Sequence, residues 1–160
     1  MGLVFLVGYL LSRRKPARRR TYAPPRPHGP YPGDFRGTVA LEYSPNPNGK
    51  ADPGEVVWTW VAFQEDPSKG KDRPVLIIGR DGTWLLGLML TSKDHNNQSR
   101  HNANWLDIGT GAWDRHRRPS EVRLDRIIRI DPRAVRREGA TVPRSTFDAV
   151  ARSLSSLHHW

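Results

Sequence analysis

From Glu55 to Ile130 the chain is written as short β-branched and aromatic runs, each closed off by Pro, Gly or Asp. "GEVVWTWVAF" comes first, and "PVLIIG", "TWLLGLMLTS", "WLDIG" and "SEVRLDRIIRI" follow. Runs of this length and bounding predict strands. Val75-Leu76-Ile77-Ile78 is apolar at consecutive positions, which predicts a strand covered on both faces. Arg80-Asp81-Gly82 predicts a hairpin turn. In the last run Val122, Leu124, Ile128 and Ile130 share a face, while Arg126 breaks the alternation and marks the place for a bulge. One stretch changes period: "PRSTFDAVARSLSSL" sets Phe147, Val150, Ala151, Leu154 and Leu157 at helical spacing, with Pro143 at the first turn. The expected fold class is therefore mainly β with a C-terminal helix, a small curled antiparallel sheet packed by that helix.

The N-terminal third does not fit this pattern. Residues 1–50 hold nine Lys/Arg against two Asp/Glu, a net of +7, whereas residues 51–160 carry +3, so most of the basicity lies outside the predicted globular part. Arg outnumbers Lys 21 to 5, a bias that genome composition also produces, so charge alone does not name a partner. Leu3 to Leu11 are almost continuously apolar, and six cations follow between Arg13 and Arg20. A run of that length falls short of the roughly 20 residues a spanning helix needs, and no small-residue cleavage site follows it. Three readings stay open: a truncated membrane anchor, an interfacial anchor helped by the basic cluster, or an apolar tail. Cations beside an apolar segment favour the cytoplasmic side, with membrane association through residues 3–20. Residues 24–53 are Pro- and Gly-rich with few aliphatics, a composition that predicts a flexible, partly polyproline-II tether. "GTVALEY" within it is a candidate edge strand. The expected division is residues 1–20, an apolar segment plus basic cluster; 21–52, a linker; and 53–160, the folded domain.

The chain contains no cysteine, which excludes a disulfide framework, a thiol nucleophile and a Cys-based zinc site. Its six histidines show no metal-binding spacing. His158 and His159, beside Trp160, read as a solvated tail. No cofactor and no metal are expected.

Several blocks together resemble the PemK/MazF family of toxin-type endoribonucleases. "PGEVVWTWV" resembles that family's opening strand and "GKDRPVLIIG" its loop, Arg-Pro pair and second strand. "LGLMLTSKD" resembles its third strand, and "SEVRLDRIIRIDP" with the closing helix resembles the remainder, so the likeness covers about residues 53–157. The chain departs from the pattern in adding about fifty residues before the first strand and in approaching Thr91 through Leu88-Met89-Leu90 rather than a Pro. The resemblance implies an SH3-like barrel and a homodimer that binds single-stranded RNA. It also implies metal-independent cleavage and, for a toxin, an antitoxin protein as possible partner.

RNA carries its own nucleophile, the 2′-OH, so a ribonuclease has to align it and stabilise the phosphorane. A guanidinium suits the second task because its planar fork binds two phosphoryl oxygens and stays charged. With the resemblance in hand, Arg73 is the candidate for that role, Thr91 for a hydroxyl on the same phosphate, and Ser92 for its assistant. Lys69, Lys71 and Lys93 are candidates for attracting the RNA backbone, and Trp58 for stacking a base. The residues alone also allow Arg73 as a solvated or ion-paired turn residue and the tryptophans as core. The competing function is a non-catalytic SH3-like module binding RNA or a protein near the membrane.

Overall fold

The computed structural model of the chain describes residues 27–94 and 102–160. The apolar segment 3–11, the basic cluster and His95 and His101 lie outside the described residues. Seven strands and one helix form in the order β1 (Glu55–Ala62), β2 (Gly70–Asp81), β3 (Trp84–Thr91), β4 (Trp105–Gly109), β5 (Ser120–Arg123), β6 (Ile128–Ile130), β7 (Val135–Thr141) and α1 (Arg144–His158). The strands pair antiparallel in the spatial order β4-β5-β3-β2-β1-β7, and β6 also pairs with β3. Mainly β with one C-terminal helix, the fold class expected from the runs, is what the chain adopts.

Strand β2 is the centre of the sheet, and its sequence explains why. Leu76 and Ile78 enter one apolar cluster with Val56, Leu88, Leu90 and the helix residues Phe147, Val150 and Leu154. Val75 and Ile77 enter a second cluster with Val57, Val61, Leu85, Ile128 and Ile130. Side chains alternate along a strand, so four consecutive apolar residues supply two to each face. Fully burying one such side chain is worth about 1.5–3 kcal/mol, and leaving either face uncovered forfeits half of the set.

Three sequence expectations are corrected at the level of elements. Arg73 is not a turn residue, because β2 already begins at Gly70. The turn lies earlier, where the Asp66 carboxylate accepts from the Ser68 N–H (3.2 Å) and hydroxyl (2.6 Å). "SEVRLDRIIRI" is not one strand with a bulge. β5 pairs with the C-terminal end of β3 at Leu90 and Thr91, β6 with its N-terminal half at Leu85 to Gly87, and the chain breaks between them at Arg126. Finally, β7 was missed. Its sequence is charged, and it is recruited by β1 through a bulged register at Trp58.

The predicted flexible tether is corrected over residues 27–52. This stretch contains no strand, so "GTVALEY" is not an edge strand, yet the chain is seated on the barrel as a strap. The Phe35 N–H donates to the Ile127 carbonyl (2.8 Å), Glu42 N–H to Ile78 (3.0 Å) and Ser44 N–H to Pro53 (3.0 Å). A register shift between Ile77 and Gly79 leaves Ile78 out of the β2–β3 ladder, so its carbonyl is available to the strap. Val39 is buried against Gly79, where a Cβ would stand 2.9 Å from Val39 Cγ1. Tyr43 donates to the Val142 carbonyl at 2.7 Å and packs on Phe147 at 5.1 Å between ring centroids. Composition misses this because a few well-placed apolar residues fasten an otherwise polar stretch. The C-terminal tail is corrected similarly: a His158 ring nitrogen lies 2.8 Å from the Leu124 carbonyl, and Trp160 packs against the core.

Where β7 pairs with β1 through the bulge, a Cβ on Gly139 would lie 1.3 Å from the Val56 carbonyl oxygen. That oxygen belongs to the backbone of an internal strand and cannot move aside. We expect Gly139→Ala to lower unfolding free energy by about 2 kcal/mol or more, at the upper end of overpacking costs. A urea titration measures it, and an unchanged midpoint contradicts the close β1–β7 pairing at Gly139.

Candidate functional site

The strand ladder brings the candidate residues to one edge. Val75 pairs with Met89, so two residues further along Arg73 falls opposite Thr91. Arg73 also pairs with Thr59 of β1, and Thr91 with Glu121 of β5. Thr59, Arg73, Thr91 and Glu121 therefore form one row across four strands, on one face of the sheet. β2 begins and β3 ends here, so successive residues from both faces border an open cleft of about 200 Å³. Its near side is Trp58, Lys71, Asp72, Arg73, Pro74, Leu90, Thr91 and Ser92. Its far wall is Trp113, Asp114, Arg118 and Ser120, from the connection leading into β5.

Of the residues singled out in the sequence, Arg73, Thr91, Ser92, Lys71 and Trp58 come together in this cleft. Lys69 is not among its lining and pairs with Asp66 at 3.2 Å, back in the turn. Lys93 is also outside the lining, but its backbone N–H donates to Thr91 Oγ1 at 3.1 Å. That contact occupies a lone pair of the hydroxyl and leaves its hydrogen available for an acceptor in the cleft. Trp58 is held in the wall: its indole N–H donates to the Trp113 carbonyl at 2.8 Å, and the Arg136 guanidinium lies 5.6 Å from its ring centre.

Electrostatics distinguish Arg73 from its neighbours. Burial lowers its pKa from the ordinary arginine range, and the like charges of Arg126 and Arg123 add to that. Those two arginines have their own carboxylates. Arg123 holds Asp125 through two bonds of 2.7 and 3.0 Å, which raises its pKa, and it also reaches Gln64 at 3.0 Å. Arg126, only 4% exposed, donates from Nε to Asp34 at 2.8 Å. Among the described residues no carboxylate pairs with Arg73. It remains charged at neutral pH, and it is half-buried with an unclaimed fork at the edge of a cleft.

Sequence reasoning missed the far wall, the Glu121 partner of Thr91, and the Arg123–Arg126 surroundings of Arg73. Arg126 alone had left a signal, as the cation that interrupts an apolar alternation. Among the described residues no group of three or more His, Asp or Glu is placed to hold a metal ion, and no helix is long and apolar enough to cross a membrane.

Residues 52–158 match the family model described as PemK-like, MazF-like toxin of type II toxin-antitoxin systems. The chain belongs to that family. PemK/MazF toxins are known as endoribonucleases. Solved structures similar to this chain include a MazE-MazF crystal structure from Deinococcus radiodurans, at 20% identity and TM-score 0.48, covering 67% of this chain and 94% of that one. Another is an endoribonuclease in complex with its cognate antitoxin from a mycobacterial species, at 14% identity and TM-score 0.49, covering 65% and 90%. No curated protein sequence matches this PemK-like chain significantly. The matched region begins at Asp52, where the strap ends.

The far wall of the cleft depends on a titratable pair. Arg118 Nε donates to Asp114 at 2.7 Å, and this bond, with the His116 and Arg118 backbone N–H groups, holds the Asp114 pKa below the usual carboxylate range. A depressed folded-state pKa contributes stability that is present above the unfolded value of about 3.9 and lost as pH falls through the folded one. Asp114→Asn is thus expected to lower the melting temperature more at pH 6 than at pH 2. Equal losses at both values would show that the charge is not what matters.

Proposed function

We propose that this toxin-family chain is an endoribonuclease that cuts single-stranded RNA without a metal ion, with Arg73 and Thr91 acting on the scissile phosphate. One observation carries the reading: of three neighbouring arginines, the one lining the cleft beside Thr91 is the one whose charge no described carboxylate takes up. A phosphodiester is the anion that fits a planar fork next to a hydroxyl donor. The 2′-oxygen bonds to phosphorus, the P–O5′ bond breaks, and the products are a 2′,3′-cyclic phosphate and a 5′-OH. The proton lost by the 2′-OH balances the one gained by the leaving oxygen. Arg73 would bind the two equatorial oxygens, whose charge grows in the transition state, and Thr91 would donate its hydrogen to one of them. Lys71 on the rim would attract the strand, with Ser92 as a further donor.

Sequence selectivity belongs to the same proposal, with the Trp113–Asp114–Arg118 wall as the surface next to the bound nucleotide. So do a homodimer as the working form and an antitoxin as the inhibitory partner. By their own descriptions, the mycobacterial structure holds an endoribonuclease with its cognate antitoxin and the Deinococcus structure holds MazE with MazF.

The test uses the full chain, mixed single-stranded RNA and EDTA, followed by end-group analysis. Cleavage is expected to persist in chelator and to stop at a 2′-deoxy target nucleotide. Arg73→Ala is expected to slow it at least about 100-fold, the scale for losing one transition-state donor. RNA that is retained in a gel shift but recovered intact would favour the non-catalytic binding module instead. RNA that is neither bound nor cut would refute both.

A further inference from the structure

The ion pair that buries Arg126 crosses between two parts of the chain with different standing. Arg126 belongs to the matched domain, and Asp34 belongs to the strap upstream of it. Asp34 is itself held in place: its other carboxylate oxygen accepts the Tyr31 hydroxyl at 2.6 Å, and Arg129 donates to the Gly33 and Asp34 carbonyls at 3.0 and 3.1 Å. Asp34 and Arg126 line a second open groove together with Gln64 and Asp125. Gln64 and Asp125 are the two partners of Arg123, which lies two residues beyond Glu121 on β5 and so on the same face as the Arg73–Thr91 row. The groove and the cleft share no lining residue; Arg123 and Arg126 link them, since both lie near enough to Arg73 for their like charges to act on it.

We propose that Asp34 is a positioning residue of the candidate site, a counter-ion delivered by the strap that neutralises Arg126 and so leaves Arg73 as the only guanidinium of the three free to meet a phosphate. The inference rests on the reading of the cleft as a phosphate site. Without Asp34 a buried cation stands uncompensated beside Arg73. Such a charge is costly where it is, repels the neighbouring guanidinium, and adds attraction for any polyanion. The functional unit would then be the strap together with the matched domain.

The test compares the full-length wild type with Asp34→Asn, Asp34→Glu and the double variant Asp34→Asn/Arg126→Gln. Binding of a 2′-O-methyl single-stranded RNA is followed across a salt series, and single-turnover cleavage is followed on ordinary RNA. Asp34→Asn is expected to slow cleavage about tenfold or more. It should also steepen the plot of log affinity against log salt by about 0.7, the value for one added cation facing a single strand. Asp34→Glu and the double variant are expected to recover most of both, since each restores the charge balance. A strap that only props up the fold would leave the salt slope unmoved, and that result overturns the proposal. A readout without RNA keeps the two ideas apart: inorganic phosphate should raise the melting temperature of Asp34→Asn more than that of the wild type. If wild type neither binds nor cuts RNA, the nuclease reading fails, and equal phosphate shifts would then overturn the role of Asp34 as well.

Discussion

The burial of β2 on both faces is the constraint from which the remaining structure follows. Two apolar clusters meet across that strand, one closed by the helix and the other by β6. β1 and β3 flank it, and each is in turn paired on its far side, by β7 and by β5 with β6. The strand can meet solvent only near its ends. Its N-terminal end carries Lys71, Asp72, Arg73 and Pro74, and these are the residues that line the cleft. The position of the candidate chemistry is thus a consequence of where the apolar run stops.

The same geometry accounts for how a half-buried guanidinium is tolerated. Cations close together in a partly dehydrated place repel one another, and the fold resolves this by giving Arg123 and Arg126 their own carboxylates. The remaining charge is aimed at a cleft edge beside an oriented hydroxyl. An arrangement of that kind is preorganised for an anion, since no reorientation is needed when one arrives.

Much of the sheet was legible because strand periodicity is local. The apolar quartet of β2, the hairpin into β3 and the amphipathic helix each follow from residues within a few positions of one another. Residues whose placement depends on distant partners were not legible. β7 reads as a charged loop until the bulged edge of β1 is there to pair with it. The strap reads as a tether because its seating rests on single contacts such as Val39 against Gly79 and Tyr43 against Phe147. In the cleft, the nearness of the Arg73 and Thr91 strand ends could be foreseen, but their direct pairing could not: the hairpin register alone sets Arg73 opposite Ser92, and the shift between Ile77 and Gly79 moves it to Thr91. The wall at Trp113–Arg118 could not, since nothing in its sequence says which strand end it covers.

The strap also bears on the order in which the molecule is completed. Asp34 and Arg126 are separated by 92 positions, and Tyr43 and the Val142 carbonyl by 99. A ribosome adds roughly 5–20 residues per second, so the strap emerges several seconds before the surfaces that hold it. A growing chain that already contains Arg73 and Thr91 still lacks the guanidinium that donates to Asp34 and the helix beneath Tyr43. Until synthesis has passed Arg126 the arginine cluster has no means of assembling, and a strap made early has to wait for an anchor made late.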